Sequence, residues 1–356
     1  MFDYELPMLP PNVELETKAV LKQLARSNRA LAELKGYADT IPSKHILINA
    51  VLINESKDSS AIENIVTTHD DLYQAMSNTS GASLAAKEVE NYRTAIWQGY
   101  ELVKERGMLT TNMIIEIQGL IEKNRGGIRK LPGTVLRNEK TGETVYAPPE
   151  GEEGIRSLLS NLEKYINVDE DDIDPLIKLS IIHYQFESIH PFYDGNGRTG
   201  RIINILYLVL KGLLDSPIVY LSSYIIRNKS EYYRLLQDIR DSGEWEEWIL
   251  YILKGVEEMS VETLELVKKI NEEVEKMSKE IKEKLPKIYS KELIDLLFYE
   301  FYTKISYIEK GLSITRKTAS NYLTALENEG FLTSEKIGKE RIYQNKRLYD
   351  MIKATP

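Results

Sequence analysis

Apolar residues recur at every third or fourth position along most of this 356-residue chain, and residues that favour turns are scarce. Val20, Leu21, Leu24, Leu31 and Leu34 illustrate the spacing, which places them on one face of a helix. The chain has only 20 Gly and 12 Pro, so few positions interrupt the pattern. We therefore expect a mainly α fold. An apolar fraction of 42% disfavours disordered and fibrous classes.

The chain contains no Cys and only four His, which are scattered. Disulfides, thiolate metal sites and Cys nucleophiles are excluded, and a zinc cage is disfavoured. The amino terminus carries acids and prolines where a signal peptide needs a basic start and an apolar run. The longest apolar stretch, 202–210, is too short to span a bilayer. These features predict a cytoplasmic protein without membrane contact.

The length exceeds what one hydrophobic core usually organises, so we expect several domains. Helices are expected at 158–166, 175–188, 199–213 and 244–254. A charge-rich helical pattern at 256–286 predicts a linker helix that stops at Pro286. In the body, Val135–Ala147 differs: two strand-like runs flank the turn-forming residues Glu139, Lys140, Thr141 and Gly142, which predicts a β-hairpin.

The region 287–356 has its own organisation. Helical patterns at 291–301, 304–309 and 314–329 are followed by a strand pair that includes Phe331–Ser334 and Arg341–Tyr343. Three helices and a β-hairpin predict a winged helix-turn-helix. This region holds 12 basic and 9 acidic residues, a net of +3, against −9 for the whole chain.

The winged helix could read DNA through the start of its third helix, 315–321, and through its wing. The candidate contacts are Thr315, Arg316, Lys317, Ser320, Asn321, Lys336, Lys339 and Arg341. Glu327 and Glu329 oppose this, and the net charge is modest for a DNA binder. Docking to a protein or orienting a dimer is an equal alternative.

One segment, 190–201, gathers the groups needed to hold a nucleotide. Gly195 and Gly197 let successive backbone N–H groups converge, and the apolar helix that follows adds its positive end. Arg198 and Arg201 share a helix face and can bind phosphate oxygens. Asp194 is suited to Mg²⁺, which is typically held by few carboxylates together with phosphates. His190 can take a proton near neutral pH.

The segment resembles the Fic family signature HPFx[DE]GNGRxxR at every specified position. The resemblance implies a helical core that transfers AMP from ATP to a Ser, Thr or Tyr hydroxyl of a target protein, or of itself. It implies His190 as general base and Asp194 as Mg²⁺ ligand. The nucleotide contacts that it implies are Gly195, Asn196, Gly197, Arg198, Thr199, Gly200 and Arg201, with Tyr233 near the base. Gly197 is retained, which argues against the kinase branch of the family.

Upstream, Ser59, Glu63 and Asn64 fit the family's inhibitory pattern [ST]xxxE[GN]. The resemblance implies that Glu63 pairs with Arg201 and displaces the triphosphate from its reactive pose. It also implies an N-terminal helical domain at 1–100, a catalytic core at 101–255 and a homodimer. The hairpin at 135–147 corresponds to a flap on which a target segment docks.

Alternative functions remain open at this point. The same site could remove AMP from a modified protein, with Glu63 orienting a water. The protein could also be a DNA-binding regulator whose Fic core senses nucleotides. His45, His69 and His183 lack triad-like neighbours in sequence, and Trp245 and Trp248 lie in an apolar helical stripe. We interpret all five as structural.

Overall fold

The computed structural model describes residues 5–39, 41, 44–76, 83–123, 126–137, 142–337 and 340–354. The helices among them are α1 (Lys18–Asp39), α2 (Lys44–Ile62), α3 (His69–Met76), α4 (Leu84–Arg106), α5 (Thr111–Glu122), α6 (Glu152–Asn167), α7 (Pro175–Ile189), α8 (Asn196–Leu210), α9 (Leu221–Arg227), α10 (Lys229–Ser242), α11 (Glu246–Lys284), α12 (Lys291–Tyr299), α13 (Ile305–Gly311), α14 (Arg316–Asn328) and α15 (Lys346–Lys353). The strands are β1 (Leu136–Arg137), β2 (Thr144–Tyr146), β3 (Tyr302–Lys304), β4 (Thr333–Ile337) and β5 (Glu340–Gln344). The mainly α fold class is confirmed.

Three helices form the centre of the molecule. α7 and α8 pack against each other and are buried on nearly every face. α2 buries 15 of its 19 residues, so it too lies inside the bundle, although seven of the buried residues are polar or charged. Helices without an exposed face must be enclosed by others. α4 and α9 cover α2, α4 and α5 cover α8, and α1 packs along α11.

The aromatic stripe near the start of α11 is part of the core, as the sequence predicts. Trp248 is fully buried, and its indole N–H donates to Ser180 O at 2.8 Å. Its ring stacks on His183 with centroids 5.9 Å apart. His183 in turn hydrogen-bonds Tyr232 Oη at 2.8 Å. His183 therefore packs inside the bundle.

The prediction of two helices, at 244–254 and in the linker, is wrong. α11 runs without interruption from Glu246 to Lys284. Gly255 lies inside this helix without breaking it. Its missing side chain leaves room for the Tyr224 ring, since a Cβ at Gly255 would lie 2.8 Å from Tyr224 Cδ1. Buried residues such as Met259 and Val267 continue the apolar face into the linker region.

The flap strands β1 and β2 pair antiparallel, with Leu136 opposite Tyr146 and Arg137 opposite Thr144. The predicted turn residues Glu139, Lys140 and Thr141 lie outside the described residues. Tyr146 anchors the flap: its hydroxyl donates to Ser188 O at 2.9 Å, and the Arg240 guanidinium lies 3.8 Å from its ring centroid. The base of the flap is therefore fixed to α7 and α10.

The C-terminal region has α12, α13 and α14 followed by the β4–β5 pair, which is consistent with a winged helix-turn-helix. The expected helices at 291–301, 304–309 and 314–329 are observed at 291–299, 305–311 and 316–328. β3 adds a third strand that the sequence did not predict, and the sheet order is β3–β5–β4. All three residues of β3, 302–304, are buried, so this strand does not show the alternation of apolar and polar residues by which a strand is recognised in a sequence. Lys339 lies outside the described residues.

None of the helices in the described ranges combines the length and the apolar character needed to cross a membrane.

The contact between α4, α5 and α8 supplies a test of core packing. Gly99→Ala should lower stability, because its Cβ would lie 2.7 Å from Leu206 Cδ1 and 3.1 Å from Ile117 Cδ1. Overpacking of this kind costs about 1–3 kcal/mol. Gly36→Ala is the matched control: Gly36 lies inside α1, and apart from its chain neighbours and the adjacent helix backbone no described residue has an atom within 4 Å of the added Cβ, so a gain of about 0.5–1 kcal/mol is expected. Urea unfolding measures both changes, and equal effects at the two sites would contradict the packing described.

Candidate active site

His190 lies at the end of α7 in a left-handed backbone conformation, with φ of 47°. Its N–H donates to Phe186 O at 3.0 Å and closes the last turn of the helix. A positive φ is uncommon for a residue other than glycine, and such conformations concentrate at functional sites. The turn leads the chain directly into the loop before α8.

Asn196 fixes this loop through both atoms of its side-chain amide. Oδ1 accepts from Phe192 N at 2.9 Å, and Nδ2 donates to Phe192 O at 2.8 Å. Gly195 has φ of 78°, and a Cβ there would lie 2.8 Å from Glu122 Oε1, so glycine is required for both conformation and space. α8 starts at Asn196, three residues earlier than expected, because Gly195 caps it, and it ends at Leu210 rather than at residue 213.

The first turn of α8 leaves backbone N–H groups directed out of the helix end. The side chain of no described residue caps this end, and the first intrahelical bond runs from Thr199 N to Gly195 O at 2.9 Å. Unsatisfied amides together with the positive end of the helix dipole attract anions. The segment around Asn196 and Gly197 can therefore hold a phosphate group.

Glu63 places its carboxylate against this helix end. A Cβ built on Gly197 would lie 2.2 Å from Glu63 Oε1, so the missing side chain of Gly197 leaves the space that the carboxylate fills. Glu63 belongs to the turn that ends α2, where Asn64 has φ of 62°. Asparagine and glycine tolerate this conformation best, which accounts for the residue type that follows Glu63.

Arg201 is buried, with 2% of its surface exposed, and α2 provides its hydrogen-bond acceptors. Nε donates to Ser59 Oγ at 2.8 Å, and Nη2 donates to Ser59 O at 2.9 Å and to Glu63 Oε1 at 2.8 Å. A buried guanidinium is costly unless it is paired. The structure thus brings together Ser59, Glu63 and Arg201, which are widely separated in sequence.

The ion pair sets the charge state of Glu63. Burial by itself would raise the pKa of Glu63, but the charge and hydrogen bond of Arg201 outweigh burial and hold the pKa below its ordinary value. Glu63 is therefore ionised at neutral pH, and a full negative charge lies at the mouth of the anion site.

His190 is in the opposite situation. Burial, and secondly the charge of Arg129, lower the pKa of His190 to about 4. Its imidazole is neutral at pH 7 and has a lone pair that can take a proton. Nδ1 has no hydrogen-bond partner in the part of the chain that the structure describes. The ring is therefore in the form that can accept a proton, although burial makes it a weaker acceptor than an exposed His.

Arg129 is a site residue that the sequence reasoning missed. It is fully buried, and its guanidinium donates to His190 O at 2.8 Å, to Ile189 O at 3.4 Å and to Pro149 O. Its own N–H donates to Pro191 O at 2.9 Å. Arg129 therefore ties the end of the flap region to the turn that positions His190. An isolated Arg in a non-periodic loop gives no sequence signal for this role.

The first signature arginine is paired with carboxylates. Arg198 Nη1 lies 3.3 Å from Glu88 Oε2, and Nη2 lies 2.5 Å from Glu122 Oε1. Asp194 is exposed next to this cluster, and its Oδ1 accepts from Gly195 N at 2.7 Å. Within the described ranges, no group of three or more acidic or His side chains could hold a metal ion on its own.

The remaining predicted residues occupy different surroundings. Thr199 and Gly200 are buried in α8, behind the helix end. Tyr233 lies on α10 with 47% of its surface exposed, and Lys229 Nζ is 6.0 Å from its ring centroid. Lys229 Nζ also donates to Ile62 O at 2.6 Å, so the start of α10 contacts the end of α2. Tyr233 therefore lies at the rim of the site.

Glu187, in the last turn of α7, was also missed. Its Oε1 would lie 2.3 Å from a Cβ on Gly200, and this oxygen has no hydrogen-bond partner among the described residues. Burial raises the pKa of Glu187 to about 7, against the lowering effect of Arg201.

Three family models match the chain. The model of the Fic/DOC family N-terminal region matches residues 21–101, and the model of the Fic/DOC family matches residues 108–208. The model of the C-terminal domain of SoFic-like protein adenylyltransferases matches residues 274–348. Ser59 and Glu63 lie in the first match, and His190–Arg201 lies in the second.

Curated relatives are similar over part of their length. Protein adenylyltransferase Fic of Drosophila ananassae is 24% identical over 170 residues, which cover 47% of this chain and 33% of the relative. Protein adenylyltransferase fic-1 of Caenorhabditis elegans is 32% identical over 111 residues, which cover 31% of this chain and 20% of the relative. The chain thus spans a third or less of these relatives.

Solved structures share the fold. A Fic family protein from Desulfovibrio desulfuricans G20 has a TM-score of 0.58 at 18% identity and covers 94% of this chain and 98% of its own. A fragment of Fic-1 from Caenorhabditis elegans has a TM-score of 0.55 at 22% identity; the match covers 70% of this chain and 74% of the fragment. These neighbours support the arrangement of helices described above.

The raised pKa of Glu187 predicts a pH-dependent stability difference. The folded state binds the proton of the Glu187 carboxyl more tightly than the unfolded state does. The free energy of unfolding therefore falls as pH rises from about 4.5 to about 7. The Glu187→Gln side chain cannot ionise. The melting temperature of this variant minus that of the wild type should therefore increase from pH 4.5 to about pH 7 and stay constant above that pH. Glu153→Gln changes an exposed carboxylate on α6 and is the control. A difference between Glu187→Gln and wild type that does not vary with pH would show that the carboxyl is not destabilised by burial.

Proposed function

This chain belongs to the Fic/DOC family, and we propose that it is a protein adenylyltransferase that moves AMP from ATP to a Ser, Thr or Tyr hydroxyl of a target protein and of itself. One observation carries the proposal. A neutral His190 lies at the same loop as an uncapped helix end that can bind phosphate. A proton acceptor next to an anion site is what attack of a hydroxyl on a nucleotide phosphate requires.

The proposed reaction is a displacement at the α-phosphorus of ATP. The target hydroxyl oxygen bonds to this phosphorus, and the bond from the phosphorus to the oxygen that bridges to the β-phosphate breaks. The hydroxyl proton passes to His190, and pyrophosphate leaves with the bonding electrons. The amides at the start of α8 stabilise the negative charge that develops on the phosphate oxygens.

Asp194 fits a Mg²⁺ role in this scheme. It is an exposed carboxylate at the mouth of the anion site, and its Oδ1 accepts from Gly195 N. Mg²⁺ usually takes one or two carboxylates together with phosphate oxygens and water, so a single Asp beside bound phosphates suits it. Bound there, the ion would neutralise charge on the leaving pyrophosphate.

We also propose that the wild-type protein is autoinhibited by Glu63. Its ionised carboxylate fills the space at Gly197 and occupies Arg201, which is then unable to bind a phosphate oxygen. A fixed negative charge at this position repels the triphosphate. Removing the Glu63 side chain would open the space and free Arg201 together.

The flap supplies the proposed docking surface for the target. Among the described residues β1 and β2 form a two-stranded sheet, whose edge could pair with an extended target segment. Tyr146 and Arg129 fix the base of the flap region to the turn at His190. A segment added to the flap would therefore be held at a constant position relative to the base.

Incubation with ATP labelled at the α-phosphate tests the activity. Glu63→Gly should take up label strongly, because the anion site opens and Arg201 becomes available. Glu63→Gly combined with His190→Ala should take up none, because the proton acceptor is lost. Label on the single and double variants is measured after denaturing gel electrophoresis.

Glu63→Gln is the graded control for this experiment. It keeps the size and a hydrogen-bonding oxygen but loses the charge, so its labelling should lie between wild type and Glu63→Gly. Equal labelling of Glu63→Gly and of Glu63→Gly combined with His190→Ala would show that His190 is not the base. A Glu63→Gly protein that folds and takes up no label, even with added cell extract as a source of targets, would remove the proposed activity.

A further inference from the structure

α2 has a second set of polar contacts besides those to Arg201. Asn49 is buried, and its Nδ2 donates to Tyr299 O at 2.7 Å, at the end of α12. Asn54 is buried too, and its Nδ2 donates to Ile352 O at 3.3 Å, in α15. The helix that carries Ser59 is therefore hydrogen-bonded to the C-terminal domain, which we define as the described residues from 287 onward.

The segment after Glu63 returns to the same domain. His69, at the start of α3, hydrogen-bonds Asn54 Oδ1 through Nε2 at 3.1 Å. The next residue, Asp70, accepts from the Tyr349 hydroxyl, and Lys353 Nζ lies 3.9 Å from its carboxylate. Glu63 is thus flanked on both sides, at Asn54 and at Asp70, by residues that contact α15. We call the contacts of Asn49, Asn54 and Asp70 with the C-terminal domain the clasp.

The clasp and the inhibitory carboxylate are joined by a rigid element. Asn54 and Glu63 are nine residues apart, which is about 14 Å along a helix. α2 is continuous from Lys44 to Ile62, so a shift of α2 at Asn54 moves Ser59 and Glu63 as well. The hydrogen bonds of Arg201 to Ser59 and Glu63 depend on that position.

The chemistry of the clasp suits a contact that can open. Its bonds join single side-chain polar groups to main-chain carbonyls and to a hydroxyl. Asn49 and Asn54 are buried, whereas the Asp70 side chain is 72% exposed. Interfaces between domains of one chain resemble transient protein interfaces, and relative motion is expected of them unless the interface is large and hydrophobic. α15 is held independently on α11, where Arg347 pairs with Glu273 at 2.8 Å and with Glu280 at 2.9 Å.

We propose that the C-terminal domain is a restraint in cis on the inhibitory segment: the clasp holds α2 and α3 where Glu63 pairs with Arg201, and opening the clasp releases Glu63. This inference rests on the proposed adenylyltransferase function and on inhibition by Glu63. A ligand or partner that binds the C-terminal domain better when it is detached from α2 would then activate the enzyme by shifting this equilibrium.

Point variants of the full chain test the restraint. Tyr349→Phe keeps the buried ring and removes only the hydroxyl that donates to the exposed Asp70, and Asn54→Ala removes the bonds to Ile352 and His69. With Glu63 present, both should raise labelling from α-labelled ATP by at least about fivefold, the lower end of typical coupling between sites. Lys310→Ala is the control, because Lys310 is an exposed residue of α13 in the C-terminal domain and is not one of the clasp residues. It should leave labelling unchanged.

The same variants in the Glu63→Gly background separate the two proposals. There the clasp variants should add nothing, because the inhibitory group is already absent. An increase in that background would mean that the clasp acts on another step and would overturn the inference. If Glu63→Gly is labelled but no clasp variant exceeds wild type, the restraint is wrong and the function stands. If Glu63→Gly itself is not labelled, the proposed function fails.

Hydrogen exchange gives a readout that is independent of activity. In Tyr349→Phe, amides of residues 56–64 should exchange faster than in wild type, while those of α8 should not change. Circular dichroism checks that the variants are folded, and Lys353→Ala takes the place of Asn54→Ala if the latter does not fold. Unchanged exchange in 56–64 for both Tyr349→Phe and Lys353→Ala would contradict the restraint.

Discussion

The pairing of Arg201 with α2 is the interaction on which the arrangement of this site depends. A guanidinium that is 2% exposed needs acceptors, and Ser59 and Glu63 provide them. α2 must therefore lie against the start of α8, and it brings a carboxylate to the helix end that is best suited to an anion. One contact thus determines both the packing of the N-terminal region and the charge at the mouth of the site.

The same constraint explains the glycines around the helix end. Gly195 allows a left-handed cap next to Glu122, and Gly197 allows the close approach of Glu63. Arg129 holds the preceding turn from the other side through the carbonyls of Ile189 and His190. His190 and the amides of α8 are thereby fixed by buried hydrogen bonds, as a preorganised site requires.

Local patterns in the sequence predicted the helical class, the flap strands, and a candidate site whose motif residues the structure brings together. The motif is dense, which made this possible: a His, an Asp, three Gly and two Arg fall within twelve residues. Arg129 and β3 were missed because their roles depend on partners that are distant in sequence or on strands of three residues. The division expected between a helix at 244–254 and a linker helix at 256–286 was wrong, because α11 is continuous and packs against Tyr224 at Gly255. The role of Arg129, the strand β3 and the continuity of α11 all depend on tertiary packing, which a single sequence does not reveal.

A crystal structure of the Glu63→Gly variant with Mg²⁺ and a non-hydrolysable ATP analogue tests most directly whether the Glu63 carboxylate lies in the triphosphate site. Autoinhibition predicts phosphate oxygens within hydrogen-bond distance of the amides of 196–198, with Arg201 turned from Ser59 toward the terminal phosphate. Phosphates bound elsewhere, or a helix end left empty while Arg201 keeps its bonds to Ser59, would contradict it.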